Sequence, residues 1–264
     1  MDREVDEIGI VIVAGALTEQ QCDAFITIID SEIASFTNIE RRLHDWPVGN
    51  ATYRDTKGYK VFNFQARHPA AMELVAFPLV VDYFRRYLGA SMVLHSSEGA
   101  VIPPGCGRDF PLHYDGYDRI PGYFLSMNAI FYLCDANAEN GATRYIPGTH
   151  KEFLSRQEAA QRSWKHADVK KGDLVLFNPY LFHAGSENRS NANRPTIINY
   201  YQRGYIKSGF DYPRAMSMSE QRKLTKDQRT LLGFDHRVPT DVNELYLQYR
   251  GTNAPLADMD PFGR

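Results

Sequence analysis

Leu112-His113-Tyr114-Asp115 sets an imidazole and a carboxylate two positions apart, and His183 and Arg194 follow further along the chain. In extended backbone, side chains i and i+2 project the same way, so His113 and Asp115 can reach one ion together. His183, on a neighbouring strand, would supply the third donor. Two imidazoles and one carboxylate on one face of an octahedral ion leave three adjacent positions open. That arrangement suits ferrous iron that must take a co-substrate and O2. An isolated H-x-D is a weak signal in a chain with eight histidines. Context strengthens it: both ligand segments read as strands, and Ala184 and Gly185 leave space beside His183. Zinc hydrolases also pair two imidazoles with a carboxylate, but the H-E-x-x-H signature of their helical sites is absent.

Arg194 opens the next strand-like run, and a guanidinium is the side chain best shaped to grip a carboxylate in two-point fashion. The remaining histidines carry plainer expectations. His44, His68, His166 and His236 sit among charged or loop residues and are expected to face solvent. His150 follows a Pro147-Gly148 turn and is expected to fix the loop. His95 either packs in the core or lines the pocket.

These donors need a frame of strands. Ile8 to Val13 reads as a strand, and Thr18 to Gln21 has the T-x-x-Q form of a capping box opening a helix to about Ser35. Asn38 to Arg67 lacks a lasting period and is expected to be irregular, with a strand near Lys60 to Gln65. Pro69 opens a helical stretch interrupted at Pro78 and stopped at Gly89. Short strands are then expected at Met92–Ile102, Phe110–Asp115, Phe124–Leu133, Ala142–Ile146, Leu174–Phe177, Leu181–Gly185 and Thr196–Tyr205. Turn signals such as Asn140-Gly141 and Gly172-Asp173 separate them. A helical insertion is expected at about His150 to Trp164, and a helical tail from Ser217 to Leu232. Many short strands with turns indicate a sandwich or barrel.

Composition narrows the function. A chain of 264 residues with 43% hydrophobic content is read as a single domain: a helical N-terminal part over about 1–90, a β core over about 91–206 and a helical tail over about 207–264. A formal net charge of -2 with mixed signs offers no footprint for nucleic acid or an anionic membrane, so a small-molecule partner is expected. Cys22, Cys106 and Cys134 are odd in number and lack C-x-x-C spacing, which points to a reducing cytoplasm. The acidic N-terminus lacks an apolar h-region, and no run approaches the roughly 18 apolar residues of a membrane span.

Taken together, the chain resembles the phytanoyl-CoA dioxygenase-like branch of the Fe(II)/2-oxoglutarate oxygenases. The matching pieces stand in family order: Leu112 to Asp115, Asn140-Gly141-Ala142-Thr143-Arg144-Tyr145-Ile146-Pro147-Gly148-Thr149-His150, Gly172 to Phe177, then His183 and Arg194. The resemblance implies a mainly β fold with flanking helices around a double-stranded β-helix, the jelly-roll, cupin-like core. It implies His113, Asp115 and His183 as iron ligands, and Arg194 on the distal carboxylate of 2-oxoglutarate. It also implies Asn128 turned toward that co-substrate. The family often has Ser two residues after the second His; here Gly185 stands there and Ser186 follows, so Ser186 is the candidate for a second carboxylate contact. Halogenases of the superfamily have a small residue where Asp115 stands, so the carboxylate implies hydroxylation, desaturation or demethylation. Asn199 and Tyr201, sharing a parity after Arg194, and Lys60 and Asn63, in the N-terminal stretch, are the candidate substrate contacts. Two alternatives stay open: a cupin-like isomerase or hydrolase, which would not need Arg194, and a non-catalytic binding barrel.

Overall fold

The computed structural model describes residues 1–35, 52–55, 57–66, 68–108, 110–116, 119–236 and 241–243. His44, the stretch from Asn38 to Gly49 and Arg67 lie outside them. A short helix α1 (Asp2–Glu7) precedes strand β1 (Ile10–Val13). Thr18 caps α2 (Glu19–Ser35) as the T-x-x-Q pattern predicts. Its hydroxyl accepts from the Gln21 N–H at 3.2 Å, and Gln21 Oε1 accepts from the Thr18 N–H at 2.9 Å. A cap of this kind stabilises a helix by about 1 kcal/mol. Cys22, Phe25 and Ile29 then recur at helical spacing and are buried.

A hairpin of β2 (Thr52–Asp55) and β3 (Gly58–Phe62) leads to α3 (Pro69–Val75) and α4 (Pro78–Leu88). Each of these helices starts on a proline, whose missing N–H would be unpaired there anyway. Val80, Val81, Phe84 and Leu88 form the buried stripe of α4, and Gly89, at φ 89°, ends it. The core follows: β4 (Val93–Ile102), β5 (Ser126–Tyr132), β6 (Arg144–Tyr145), α5 (Arg156–Ala160), β7 (Lys165–His166), β8 (Leu174–Phe177), β9 (His183–Ala184) and β10 (Arg194–Gln202). Three short helices, α6 (Tyr212–Ala215), α7 (Met218–Gln221) and α8 (Lys226–Leu231), follow it.

The strands form two antiparallel sheets, one of seven in the order β1-β8-β5-β10-β4-β3-β2 and one of three in the order β7-β6-β9. Side-chain alternation divides the large sheet cleanly. Met127, Ala129 and Phe131 of β5 and Ile197 and Tyr201 of β10 pack with α2, α3 and α4 in one core. Ile130 and Tyr132, with Val175 and Phe177 of β8, meet Ala142, Val169 and Leu181 in a second core between the sheets. The cavity opens off this second layer.

Several predicted elements are shorter than the sequence patterns suggested. Phe110–Asp115 forms no strand: Pro111 has no N–H to give, and only His113 bridges β9. Leu181–Gly185 contracts to β9, and Ala142–Ile146 to β6. The insertion at 150–164 is a 3₁₀ turn at Thr149–Lys151 followed by α5, opened by a Ser155/Glu158 capping box. Strand β3 overlaps the predicted Lys60–Gln65 at Lys60–Phe62 but starts at Gly58 and stops before Asn63, which takes a left-handed φ of 55° and turns the chain. No helix among the described residues is long and apolar enough to cross a membrane.

Candidate metal centre

His113 and His183 are joined backbone to backbone. The N–H of each donates to the carbonyl of the other, at 3.0 and 2.8 Å, which sets their rings side by side with centroids 4.5 Å apart. Two residues on, the Asp115 N–H donates to the Pro179 carbonyl at 3.0 Å, holding the second half of H-x-D against the same segment. The ligand atoms of His113, Asp115 and His183 all lie within 4.8 Å of one another. His113 Nε2 is 3.2 Å from Asp115 Oδ1, and His183 Nε2 is 3.4 Å from Asp115 Oδ2.

Hydrogen bonds on the far side of each ring decide which nitrogen faces the centre. His113 Nδ1 lies 2.9 Å from the Pro111 carbonyl, and His183 Nδ1 lies 3.0 Å from the Leu181 carbonyl. A carbonyl only accepts, so each Nδ1 carries its proton and each Nε2 lone pair is left for a metal. Asn128 Nδ2 donates to Asp115 Oδ2, and the Tyr200 hydroxyl donates to the Asp115 carbonyl at 2.6 Å. Burial opposes charge on Asp115, but the neighbouring His183 and His113 outweigh it and hold the carboxyl far below its usual range. Burial likewise opposes charge on His183, and Asp115 outweighs it, so that ring sits above its ordinary value. Two nitrogen donors and one carboxylate without thiolate are the donor set of a mononuclear ferrous site.

A cavity of about 330 Å³ adjoins the triad, within the usual range for small-molecule sites. Arg194 lines it with its side chain 6% exposed. No carboxylate pairs with this guanidinium among the described residues, and its buried Nε has no hydrogen-bond partner. Its contacts are the Thr196 hydroxyl at 3.4 Å and the Tyr132 ring, 5.6 Å from centroid to Cζ. A buried unpaired cation is costly, and an anion bound in the cavity would offset that cost. Thr143 stands in the same cavity, and its hydroxyl accepts from the Tyr132 hydroxyl at 2.9 Å. Its own proton therefore remains available to an anion. The residues present fit a dicarboxylate beside a ferrous ion.

Other predicted contacts fall differently. Asn128 lines the cavity; one N–H of its amide goes to Asp115, and its buried amide oxygen has no hydrogen-bond partner among the described residues. Ser186 is not in the cavity wall. Gly185 is, and a Cβ there would overlap the Phe110 ring, so Phe110 takes the space that a family serine would need. Asn199 and Tyr201 face the helical layer: Asn199 Nδ2 donates to the Leu74 carbonyl at 3.1 Å, and the Tyr201 hydroxyl to that of Val75 at 2.8 Å. Ile198 and Tyr200 face the cavity in their place. Lys60 does line it, paired with Glu98 at 2.8 Å, whereas Asn63 lies beyond the strand end and outside the wall. His68 is paired with Glu32 at 2.7 Å, and His150 donates from Nε2 to the Asp6 carbonyl at 3.0 Å, a structural tie as expected. Thr143, Tyr200 and Ile198 were missed. The parity of Arg194 along its own strand was the signal that could have found the last two.

The phytanoyl-CoA dioxygenase family model matches residues 5–196. The chain belongs to this family of Fe(II)/2-oxoglutarate-dependent oxygenases. Among its relatives, the uncharacterised Mycobacterium tuberculosis protein Rv1501 is 26% identical over 185 residues, spanning 67% of this chain and 68% of that protein. The Fe(II)/2-oxoglutarate-dependent dioxygenase nvfF of Aspergillus novofumigatus is 25% identical over 197 residues, or 70% of this chain and 64% of that one. HygX from Streptomyces hygroscopicus, solved with nickel and 2-oxoglutarate, superposes with a TM-score of 0.62 at 17% identity, covering 78% of this chain and 87% of its own. The non-haem carbocyclase SnoK from nogalamycin biosynthesis gives 0.61 at 20%, covering 76% and 82%. These likenesses establish the double-stranded β-helix fold for this family member.

Proposed function

We propose that this phytanoyl-CoA dioxygenase family member oxidises an unactivated C–H bond of a small specialised metabolite, by hydroxylation, desaturation or demethylation. His113, Asp115 and His183 hold the iron, and Arg194 holds the distal carboxylate of 2-oxoglutarate. The observation that carries this reading is the buried guanidinium of Arg194, unpaired and in one cavity with the triad. When bound, iron with 2-oxoglutarate and O2 supplies the oxidising power and releases succinate and CO2. The protein's own residues set the geometry. The Pro111 and Leu181 carbonyls fix the two histidine tautomers, and Asn128 and Tyr200 hold Asp115 from its side-chain and backbone ends. Arg194 and Thr143 supply two donors for one carboxylate, the second replacing the Ser that Phe110 excludes at Gly185.

Support for a specialised metabolite comes from the neighbours: SnoK is named for nogalamycin biosynthesis, and HygX has been solved with hygromycin B bound. A cupin-like isomerase or hydrolase would leave Arg194 buried to no purpose. The reading includes a single catalytic domain working in a reducing cytoplasm, where ferrous iron persists and Cys22, Cys106 and Cys134 stay free. The test is iron-dependent succinate release from 2-oxoglutarate. Asp115→Ala is expected to abolish it, and full turnover in that variant would overturn the ligand assignment.

A further inference from the structure

The cavity wall formed by β4 is shaped by an irregularity. Against β10, Ser96 pairs with Tyr200 but Leu94 pairs with Tyr201, so His95 is the extra residue of a β-bulge. A bulge interrupts alternation and re-aims a side chain. Here it brings His95 onto the same cavity wall as Ser96, Glu98 and Tyr200. The distortion is held in place from outside. The His95 carbonyl accepts from the Gly209 N–H at 3.2 Å and from the Tyr212 hydroxyl at 3.2 Å, and the ring meets Tyr200 edge-on with centroids 4.9 Å apart.

Hydrogen bonding then sets the ring's tautomer. Gln202 is fully buried and gives its Nε2–H to the Ile206 carbonyl at 2.7 Å, which turns its Oε1 toward His95. An amide oxygen only accepts, so the 2.9 Å contact to His95 requires a proton on Nδ1. Burial, partly offset by this bond, keeps the ring's pKa below the usual histidine value, and the ring stays neutral. Nε2 therefore keeps a lone pair, and it makes no hydrogen bond among the described residues. Gly209 lies close alongside: a Cβ there would stand 3.0 Å from Nε2, a tight contact. The charges nearby are already engaged, since Lys60 pairs with Glu98 and the Lys57 ammonium lies 5.8 Å from the centre of the Phe110 ring.

We infer that His95 is a substrate-positioning residue whose Nε2 accepts a hydrogen bond from a hydroxyl or amine of the substrate, fixing which C–H bond faces the metal centre. The substrate is then a hydroxylated or aminated molecule, recognised on this wall by hydrogen bonds. The inference rests on the oxygenase reading for the reaction, but not for the state of the ring, and its two tests separate these.

The first test needs neither iron nor 2-oxoglutarate. Long-range proton–nitrogen spectra of the full chain labelled at histidine are expected to show Nδ1 protonated and Nε2 bare at His95, with the signal assigned by its loss in His95→Phe. Gln202→Leu, which keeps the ring, is expected to erase that preference. A proton on Nε2 in the unaltered protein overturns the inference whatever reaction the enzyme performs. The second test measures substrate-stimulated succinate release over a panel of hydroxylated and aminated metabolites paired with their deoxy or O-methyl counterparts. Removing the donor from a substrate, or His95→Phe, is each expected to lower kcat/KM roughly ten- to a hundredfold, with little further loss when combined. Losses that multiply in full would show that the two groups do not meet, and would also overturn it.

Discussion

On one face of β10, Asn199 and Tyr201 end on the carbonyls of Leu74 and Val75, the last turn of α3. On the other face, Arg194 and Tyr200 end in the cavity, one with an unpartnered Nε and the other on the backbone of Asp115. Both faces carry polar groups, so polarity does not tell them apart, and burial does so only in degree: Ile198 and Tyr200 are part-buried where Ile197, Asn199 and Tyr201 are fully buried. What separates them is where the hydrogen-bonding capacity goes. On the helical face the Asn199 amide N–H and the Tyr201 hydroxyl are spent on helix carbonyls, and their product is stability. On the cavity face the Arg194 Nε is buried without a partner, which costs stability and, under the proposed function, provides binding.

The largest expected effect falls on the cavity face. Arg194→Leu should weaken 2-oxoglutarate binding by about 3 kcal/mol, over a hundredfold, because the carboxylate would be left without its buried counter-charge. The melting temperature should hold or rise, since a buried unpaired cation has been removed. Anaerobic titration of the iron-loaded protein with 2-oxoglutarate, beside a thermal melt, reads both quantities. Equal affinity in the variant would mean that Arg194 is not the receptor.

On the helical face the outcome should be reversed. Tyr201→Phe leaves the Val75 carbonyl without its donor and should cost about 1–2 kcal/mol in denaturant unfolding, while the KM for 2-oxoglutarate stays put. A change in KM without a change in stability would dissolve the distinction between the faces.

A smaller effect concerns pH. His95 and His150 are both held below the ordinary value of 6.5, chiefly by burial. The folded chain then binds fewer protons than the unfolded chain between the depressed values and 6.5. Stability is full above 6.5 and is lost as pH falls. Melting temperature should therefore decline between about pH 7 and 5, and His150→Gln should flatten part of the decline. A flat profile across that window would mean that neither ring is kept neutral by the fold.

Much of the centre was legible in the linear chain. His113 and Asp115 stand two apart, His183 is flanked by Ala184 and Gly185, and Arg194 opens a strand; the type and spacing of these residues already imply a ferrous site with an anion receptor. The capping box at Thr18 and the stop at Gly89 were equally readable, because caps are local chemistry. The face of β10 was not. Ile197-Ile198-Asn199-Tyr200-Tyr201 has no polar-apolar alternation to assign a side. Nor does a bulge leave a compositional trace, and the placement of His95 depends on one.

The sequence by itself determined the strand-rich frame and singled out the candidate metal donors and the candidate carboxylate receptor, because these follow from residue chemistry and near-neighbour spacing. Only the tertiary structure decided which polar groups were spent inside the protein and which were left facing the cavity. That choice depends on α3 covering one face of β10, on Phe110 filling the space at Gly185, and on Gln202 setting the His95 ring. All three are contacts between residues far apart along the chain.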